Sequence, residues 1–376
     1  MAYPGEQPLK VWHVASGDLW AGAETQVYNL LLALRRRGDI EPAAILFNEG
    51  EMARRLRAAG IPVTVHDESR MASASIASRM RHAMRSVRPE ILHGHGKKEN
   101  VLALLAAFRA PVGAVVGTVH GAAEHSASLL RPDKQLSELL DRVVSGRGLD
   151  TLIAVSAPLA EQLRLRYPRQ RIRVIANGVD CDALAAAVQP LALPQADATL
   201  KVGLVGRLTP VKRADLFLRI AAELEKRGAD SACYVAGEGP ELDGAKALAA
   251  ELDLHRTHFL GFVQDVPSLL AQLDIVCMPS DHEGLPMTLL EALTLGCGVV
   301  VHAVGAMPEV AERCGGIALQ DRSPVTFADA IERLAAERRG ADSLRARSAA
   351  AVRCHYSSDS CAQAHVALYR ELLGKP

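Results

Sequence analysis

Residues 279–291 read Pro279-Ser280-Asp281-His282-Glu283-Gly284-Leu285-Pro286-Met287-Thr288-Leu289-Leu290-Glu291. The apolar run just before them, residues 274–278, has the composition of a parallel strand buried on both faces. An apolar helix is expected to follow, to about residue 294, with Gly284 and Pro286 marking the turn between. In such a strand–turn–helix unit, ligands gather at the carboxyl end of the strand, where helix N-termini aim free N–H groups outward. Glu283 falls in the turn, and Glu291 falls about two helical turns in. Two carboxylates then face one crevice from different depths. That arrangement suits acceptance of hydrogen bonds from the hydroxyls of a sugar and of a ribose.

The same kind of unit recurs on either side. Residues 201–205 read as a strand, and Gly206-Arg207-Leu208-Thr209-Pro210-Val211-Lys212 leads into a helix over 213–227. A glycine at the strand end lets a ligand approach the backbone. Arg207 and Lys212 then bring a planar fork and a point charge to a diphosphate at a helix N-terminus. Residues 233–236 form a further strand, ended by Gly237-Glu238-Gly239-Pro240, and 298–301 another, followed by Gly305-Ala306-Met307-Pro308-Glu309-Val310 opening a helix. In the first half, residues 10–15, 42–47, 63–66, 91–93, 115–119 and 152–155 read as strands with helical patterns between them. The helix over 23–37 places Val27, Leu30, Leu31 and Leu34 on one face. This alternation predicts doubly wound parallel sheets.

A chain of 376 residues is long for one domain and comfortable for two. Its aliphatic bias, 49% hydrophobic with 4% aromatic, suits α/β layers. Lys plus Arg and Asp plus Glu both number 43, so overall charge says nothing about a polyanionic partner. The halves differ: up to Gly178 there are 24 basic and 17 acidic side chains, and beyond it 19 and 26, so +7 faces −7. The seven cysteines all follow Gly178 without a Cys-x-x-Cys, which reads as reduced core thiols of a cytosolic protein. Residues 1–10 are polar, so no secretory signal is expected. The longest apolar stretch, 101–119, is broken by Arg109 and Pro111, so no bilayer-spanning segment is expected either.

Two patterns bear on metals. His93-Gly94-His95 ends a strand, but no third ligand with sensible spacing follows, and the pair reads as a loop beside a cleft. Asp180-Cys181-Asp182 is formally Asp-x-Asp, yet it follows a turn at a domain boundary with no long apolar strand before it. No metal is expected.

The Glu283–Glu291 spacing, set among Pro-Ser, Gly-Leu-Pro and Glu-Ala-Leu, resembles the Glu-x7-Glu signature of retaining glycosyltransferases of the two-Rossmann-domain GT-B fold (the family 4-like, group 1 type). The resemblance implies that Glu283, with Gly284, Leu285 and Pro286, holds a donor hexose and that Glu291 holds the nucleotide ribose. Gly206-Arg207-Leu208 followed by Lys212 matches the family's diphosphate motif, with Arg213 where the family often has glycine. Phe259-Leu260-Gly261-Phe262-Val263 resembles the segment that meets the base, which implicates Phe262 and Val263. Trp20-Ala21-Gly22-Ala23-Glu24 matches the family's Gly-Gly loop at Gly22, with Ala21 in place of the first glycine. Gly305-Ala306-Met307-Pro308-Glu309 matches its Gly-Gly-x-Pro-Glu, with Ala306 in place of a glycine. His120, in Gly117-Thr118-Val119-His120-Gly121, matches a Thr-x-His strand end whose histidine lies near the donor sugar, and Asn177-Gly178-Val179-Asp180 resembles the segment before the interdomain linker.

The expected protein is therefore α/β, of GT-B type, with two Rossmann-like domains and a cleft between them. Residues 1–178 form the acceptor side, 179–355 the donor side, and 356–376 a helix crossing back. The implied reaction is retaining, metal-independent transfer of a sugar from a UDP- or GDP-linked donor to a hydroxyl of a glycan or lipid-linked acceptor, in polysaccharide, lipopolysaccharide or glycolipid assembly. His120 and Glu283 would be the residues nearest the chemistry. No cofactor and no nucleic acid are implied. The competing readings are a nucleotide-sugar epimerase, a phosphorylase, or a non-catalytic nucleotide-sugar binder. A cytoplasmic location is expected. Residues 78–88, where Met80, Met84 and Val87 alternate with Arg81, Arg85 and Arg88, read first as an ordinary helix with its apolar stripe in the core and its arginines solvated, and as the alternative a peripheral contact with an anionic membrane surface.

Overall fold

The computed structural model describes residues 7–121 and 146–375, which fall into two units: residues 1–178 with 358–376, and residues 179–357. Among the described residues the first unit holds seven strands: β1 (Leu9–Ala15), β2 (Ile40–Leu46), β3 (Val63–Val65), β4 (Ile91–His95), β5 (Ala114–Val119), β6 (Thr151–Ala154) and β7 (Ile172–Val174). They pair in parallel in the order β3-β2-β1-β4-β5-β6-β7. The central strands are buried almost throughout, which is why they are apolar on both faces rather than alternating.

The helix Gly22–Arg37 buries Val27, Leu30, Leu31 and Leu34, and it stops at Gly38, whose φ of 77° turns the chain out of the helix. The helix Ser358–Leu372 places Cys361, Ala362, Val366 and Tyr369 in the core that Leu30, Leu34, Ile91 and Val116 share.

The second unit holds six strands: β8 (Leu200–Val205), β9 (Ser231–Ala236), β10 (Thr257–Gly261), β11 (Ile275–Met278), β12 (Gly298–His302) and β13 (Ile317–Leu319). They too pair in parallel, in the order β10-β9-β8-β11-β12-β13. Phe217, Ile220, Ala221 and Leu224 on the helix Ala214–Lys226 meet Phe327, Ile331 and Leu334 on the helix Pro324–Arg338 in its core. Removing a ring as fully buried as Phe217 costs about 3–5 kcal/mol.

In each unit the strand order reverses at one place, between β1 and β4 and between β8 and β11. The crevice outside the carboxyl ends of such a strand pair is where open α/β sheets bind ligands.

Two readings of the sequence change here, and one is decided between its alternatives. His93-Gly94-His95 is not a loop: β4 runs through all three residues and buries them, because its neighbours β1 and β5 hydrogen-bond both of its edges. The stripe over 78–88 follows its favoured core reading at Met80 and Met84, while Val87 stays exposed. Met80 and Met84 are fully buried on the helix Ser73–Val87, and Arg81 donates to the carbonyls of Leu105 at 2.5 Å and Ala106 at 3.3 Å. The short strands β7 and β13 are not among the expected ones: neither is buried throughout, so neither presents the continuous apolar run of a central strand. The cysteines are all free. Six are buried and Cys354 is exposed, and burial pushes the thiols of Cys233, Cys297 and Cys361 up to about 12. Among the described residues no helix is long and apolar enough to cross a membrane.

Candidate functional site

At the reversal between β8 and β11, two loops leave adjacent strand ends. After β8 come Gly206, Arg207 and the 3-10 turn Pro210–Lys212, and after β11 comes the turn carrying Glu283. Lys212 Nζ donates to Glu283 Oε1 at 2.6 Å, and both side chains are largely buried. Arg207 is exposed, with no ion-pair partner among the described residues. The Asp281 N–H donates to Val211 O at 2.8 Å and ties the two loops together at the backbone.

Behind Glu283 the packing is close. Gly305, at φ 58°, lies so near the Glu283 carbonyl that a Cβ there would collide with it, and the Ala306 N–H donates to Gly284 O at 2.9 Å. Gly284 and Leu285 are buried, and Pro286 precedes the helix Met287–Thr294 in extended geometry. Glu291 stands on that helix. Its residue retains some exposed surface, but its carboxyl is enclosed, and burial pushes it up to about 7.

The loops after β9 and β10 join this edge. The Gly206 N–H donates to Ala236 O at 2.9 Å, the Leu208 N–H to Glu238 O at 2.8 Å, and the Gly237 N–H to Gly261 O at 2.8 Å. Gly237, at φ 138°, abuts the Gly206 carbonyl, where a Cβ would clash. Phe262 follows at 64% exposure and Val263 is half-buried, so Phe262 is not a core residue. The second unit thus brings Arg207, Lys212, Glu283, Phe262 and Val263 to one edge of one sheet.

In the first unit Gly22 opens the helix Gly22–Arg37 after β1, with Ala21 extended before it and no side chain capping the first N–H groups. His120 follows β5, and neither of its ring nitrogens has a hydrogen-bond partner among the described residues. Together with Gln26, His95, Thr118, Asn177 and His365 it lines a cavity of about 10 Å³, room for one water molecule.

The parallel register sets His13 beside His93, a lateral neighbour that spacing along the chain does not reveal. His13, His93 and His95 offer nitrogens within 4.8 Å of one another, which meets the distance expected of a metal triad. His93, however, uses both nitrogens, 2.7 Å from Tyr369 Oη and 2.7 Å from Thr118 Oγ1, while His13 Nδ1 and His95 Nε2 lie 2.9 Å apart. The group is therefore a hydrogen-bonded imidazole core. Burial lowers His13 to about 3, His120 and His365 to about 4, and His93 and His95 well below the usual range. Asp180 caps the helix Cys181–Ala186 by accepting from the Ala183 N–H, and exposed Asp182 pairs with Arg353 through two bonds at 2.8 and 2.9 Å. Neither aspartate is arranged as a metal ligand.

Two parallel Rossmann-like sheets, with a basic turn and a buried glutamate at the reversal of the second, define the GT-B class of nucleotide-sugar proteins. The description "Glycosyl transferases group 1" matches residues 192–352, and "Glycosyltransferase Family 4" matches residues 20–183. The chain belongs to the group 1, family 4 glycosyltransferases.

It is 30% identical over 223 residues to the UDP-Gal:alpha-D-GlcNAc-diphosphoundecaprenol alpha-1,3-galactosyltransferase of Escherichia coli, covering 56% of this chain and 57% of that one. It is 32% identical over 209 residues to the D-inositol 3-phosphate glycosyltransferase of Salinispora tropica, covering 49% and 43%. The chain thus spans about half the length of the curated relatives it matches. Among solved structures it is similar to Anabaena HepE in complex with UDP, with a TM-score of 0.78, 19% identity, and 96% and 100% of the two chains covered. It is also similar to sucrose-phosphate synthase from Thermosynechococcus elongatus, with a TM-score of 0.76, 16% identity, and 97% and 99% covered. At these identities the likeness speaks for the GT-B fold.

Proposed function

We propose that the protein is a retaining, metal-independent glycosyltransferase that moves a hexose from a UDP- or GDP-linked donor to a hydroxyl of a glycan or lipid-linked acceptor. The observation that carries this is the Lys212–Glu283 pair at the β8/β11 reversal, with Arg207 exposed on the same loop. Lys212 and Arg207 take the diphosphate, and the N–H groups of the turn add to them. Glu283 takes sugar hydroxyls, Glu291 the ribose, and Phe262 with Val263 the base. In the first unit, Gly22 offers the donor the free N–H groups of the helix it opens, and His120 lies near the donor sugar.

In the reaction the bond from C1 to the diphosphate oxygen breaks, and a bond from C1 to the acceptor oxygen forms on the same face. The acceptor proton passes to the departing diphosphate, whose growing charge Lys212 and Arg207 offset in place of a metal ion. The curated relatives bear transferase names, which favours this reading over an epimerase or a non-catalytic binder. The test is a thermal-shift panel of nucleoside diphosphates, then turnover of the sugar forms of the best binder with a chelator present. Product with the anomeric configuration of the donor supports the reading. Strict dependence on Mg²⁺ or Mn²⁺, or binding without turnover in the presence of glycan and lipid-linked acceptors, overturns it.

A further inference from the structure

Asp281 bridges the two loops that carry the candidate donor residues. Its N–H donates to Val211 O at 2.8 Å, and its carboxylate accepts from Arg213 Nη1 at 3.2 Å and pairs with Arg322 Nη2 at 3.0 Å. Val211 and Arg213 flank Lys212 in the chain, and Asp281 stands two residues before Glu283. One residue therefore supplies cross-links on both sides of the lysine whose amine meets Glu283 at 2.6 Å.

Arg213 adopts φ 54° and ψ 49°, a left-handed conformation that glycine takes without strain and arginine does not. What the arginine adds is its guanidinium. It holds Asp215 through two bonds at 2.9 Å and reaches Asp281 with its remaining amino group. The charged series Asp215, Arg213, Asp281, Arg322 braces the loop pair from one side, while Gly305 and Ala306 close on Glu283 and Gly284 from the other.

We propose that Asp281 is a positioning residue of the nucleotide-sugar site. Through Val211 and Arg213 it holds Lys212 opposite Glu283, and so sets the separation between the group that takes the diphosphate and the group that takes the sugar. The inference rests on the donor-site reading above. Small errors in such a separation are felt most by a ligand that spans both groups.

The test compares dissociation constants for UDP or GDP, whichever binds the wild type more tightly, with those for its hexose conjugate, UDP-glucose or GDP-mannose. In Asp281→Ala the affinity for the plain diphosphate should change less than threefold, while the extra affinity contributed by the sugar falls at least fivefold. Asp281→Asn, which keeps an acceptor oxygen for Arg213, should restore most of it. Glu283→Gln should add little in the Asp281→Ala background, whereas Arg207→Ala should act independently of it. A merely structural role would lower the melting temperature and leave the sugar contribution intact, and that result overturns the proposal. So does full multiplicativity of Asp281→Ala with Glu283→Gln. If the wild type binds neither diphosphate, or if Lys212→Ala leaves the affinity unchanged, the donor-site reading falls and the positioning role falls with it.

Discussion

Lys212 Nζ lies 2.6 Å from Glu283 Oε1, so the cation assigned to a diphosphate and the carboxylate assigned to a sugar are bonded to each other. Both are largely shielded from water, which makes this contact worth more than an exposed ion pair. A diphosphate entering the site therefore competes with Glu283 for the same ammonium.

This competition predicts opposite effects from the two partners. Lys212→Ala should weaken nucleoside diphosphate binding by about 1.5–3 kcal/mol, the range for hydrogen bonds to charged groups. Exposed Arg207→Ala should cost less. Glu283→Gln frees the ammonium, so plain diphosphate should bind as tightly as to the wild type or tighter, while sugar transfer falls. Calorimetric titration with UDP and GDP, paired with turnover, separates these outcomes. A Glu283→Gln variant that loses diphosphate affinity in step with Lys212→Ala would contradict the division of roles.

Glu291 makes a pH prediction. Its carboxyl, raised by burial to about 7, binds its proton more tightly in the folded chain than in the unfolded one. It therefore favours folding at low pH and costs stability as the pH climbs from about 4.5 towards 7. Glu291→Gln should leave the melting temperature nearly unchanged at pH 5 and raise it at pH 8. If the carboxylate accepts from the ribose, nucleotide binding by the wild type should tighten from pH 6 to 8, and the glutamine variant should flatten that slope. Melting curves and titrations at these pH values check both.

The imidazole core of the first unit has the opposite sign. His13, His93, His95, His120 and His365 are held neutral, with pKa values below 6.5, so their contribution to stability is present above that value and is lost as the pH falls through the range beneath it. Each such group costs at most about 1.4 kcal/mol per unit of pH below 6.5. Melting temperature measured from pH 7.5 down to 5 should fall steadily, and His365→Asn should make the fall shallower. A flat profile would mean that these rings accept protons in the folded state.

Membrane contact is predicted at a different surface from the one its amphipathic pattern indicates. Phe108 is 62% exposed with the Arg109 guanidinium over its ring, Leu105 is exposed on the helix before it, and Val87, Arg85 and Arg88 are exposed at the end of the helix Ser73–Val87, which packs against that one. Leu104, Phe108, Val112 and Val115 line a groove of about 350 Å³ there. The chain should co-sediment with anionic vesicles at low salt. Phe108→Asp should abolish the binding, and Arg81→Gln should spare it, because Arg81 is committed to backbone carbonyls. No binding to anionic vesicles at low salt would point to a water-soluble acceptor.

Much of this protein was legible one segment at a time. The run before Pro279 is apolar on both faces, as a central parallel strand must be, and Gly206 to Lys212 and Pro279 to Glu291 carry turn, charge and helix signals that are local in the chain. Alternation of such segments is enough to specify two parallel α/β sheets.

What only the tertiary structure decided is which segments become neighbours. The order of strands in a parallel sheet follows from how the crossover helices pack, and spacing along the chain does not record it. Thus β4 falls beside β1, and His93 meets His13 from 80 positions away. In the same way β11 falls beside β8, where Lys212 finds Glu283 and Asp281 finds Arg213. The methionines of residues 78–88 could face a membrane or a core equally well by their periodicity, and the sheet beneath them took them.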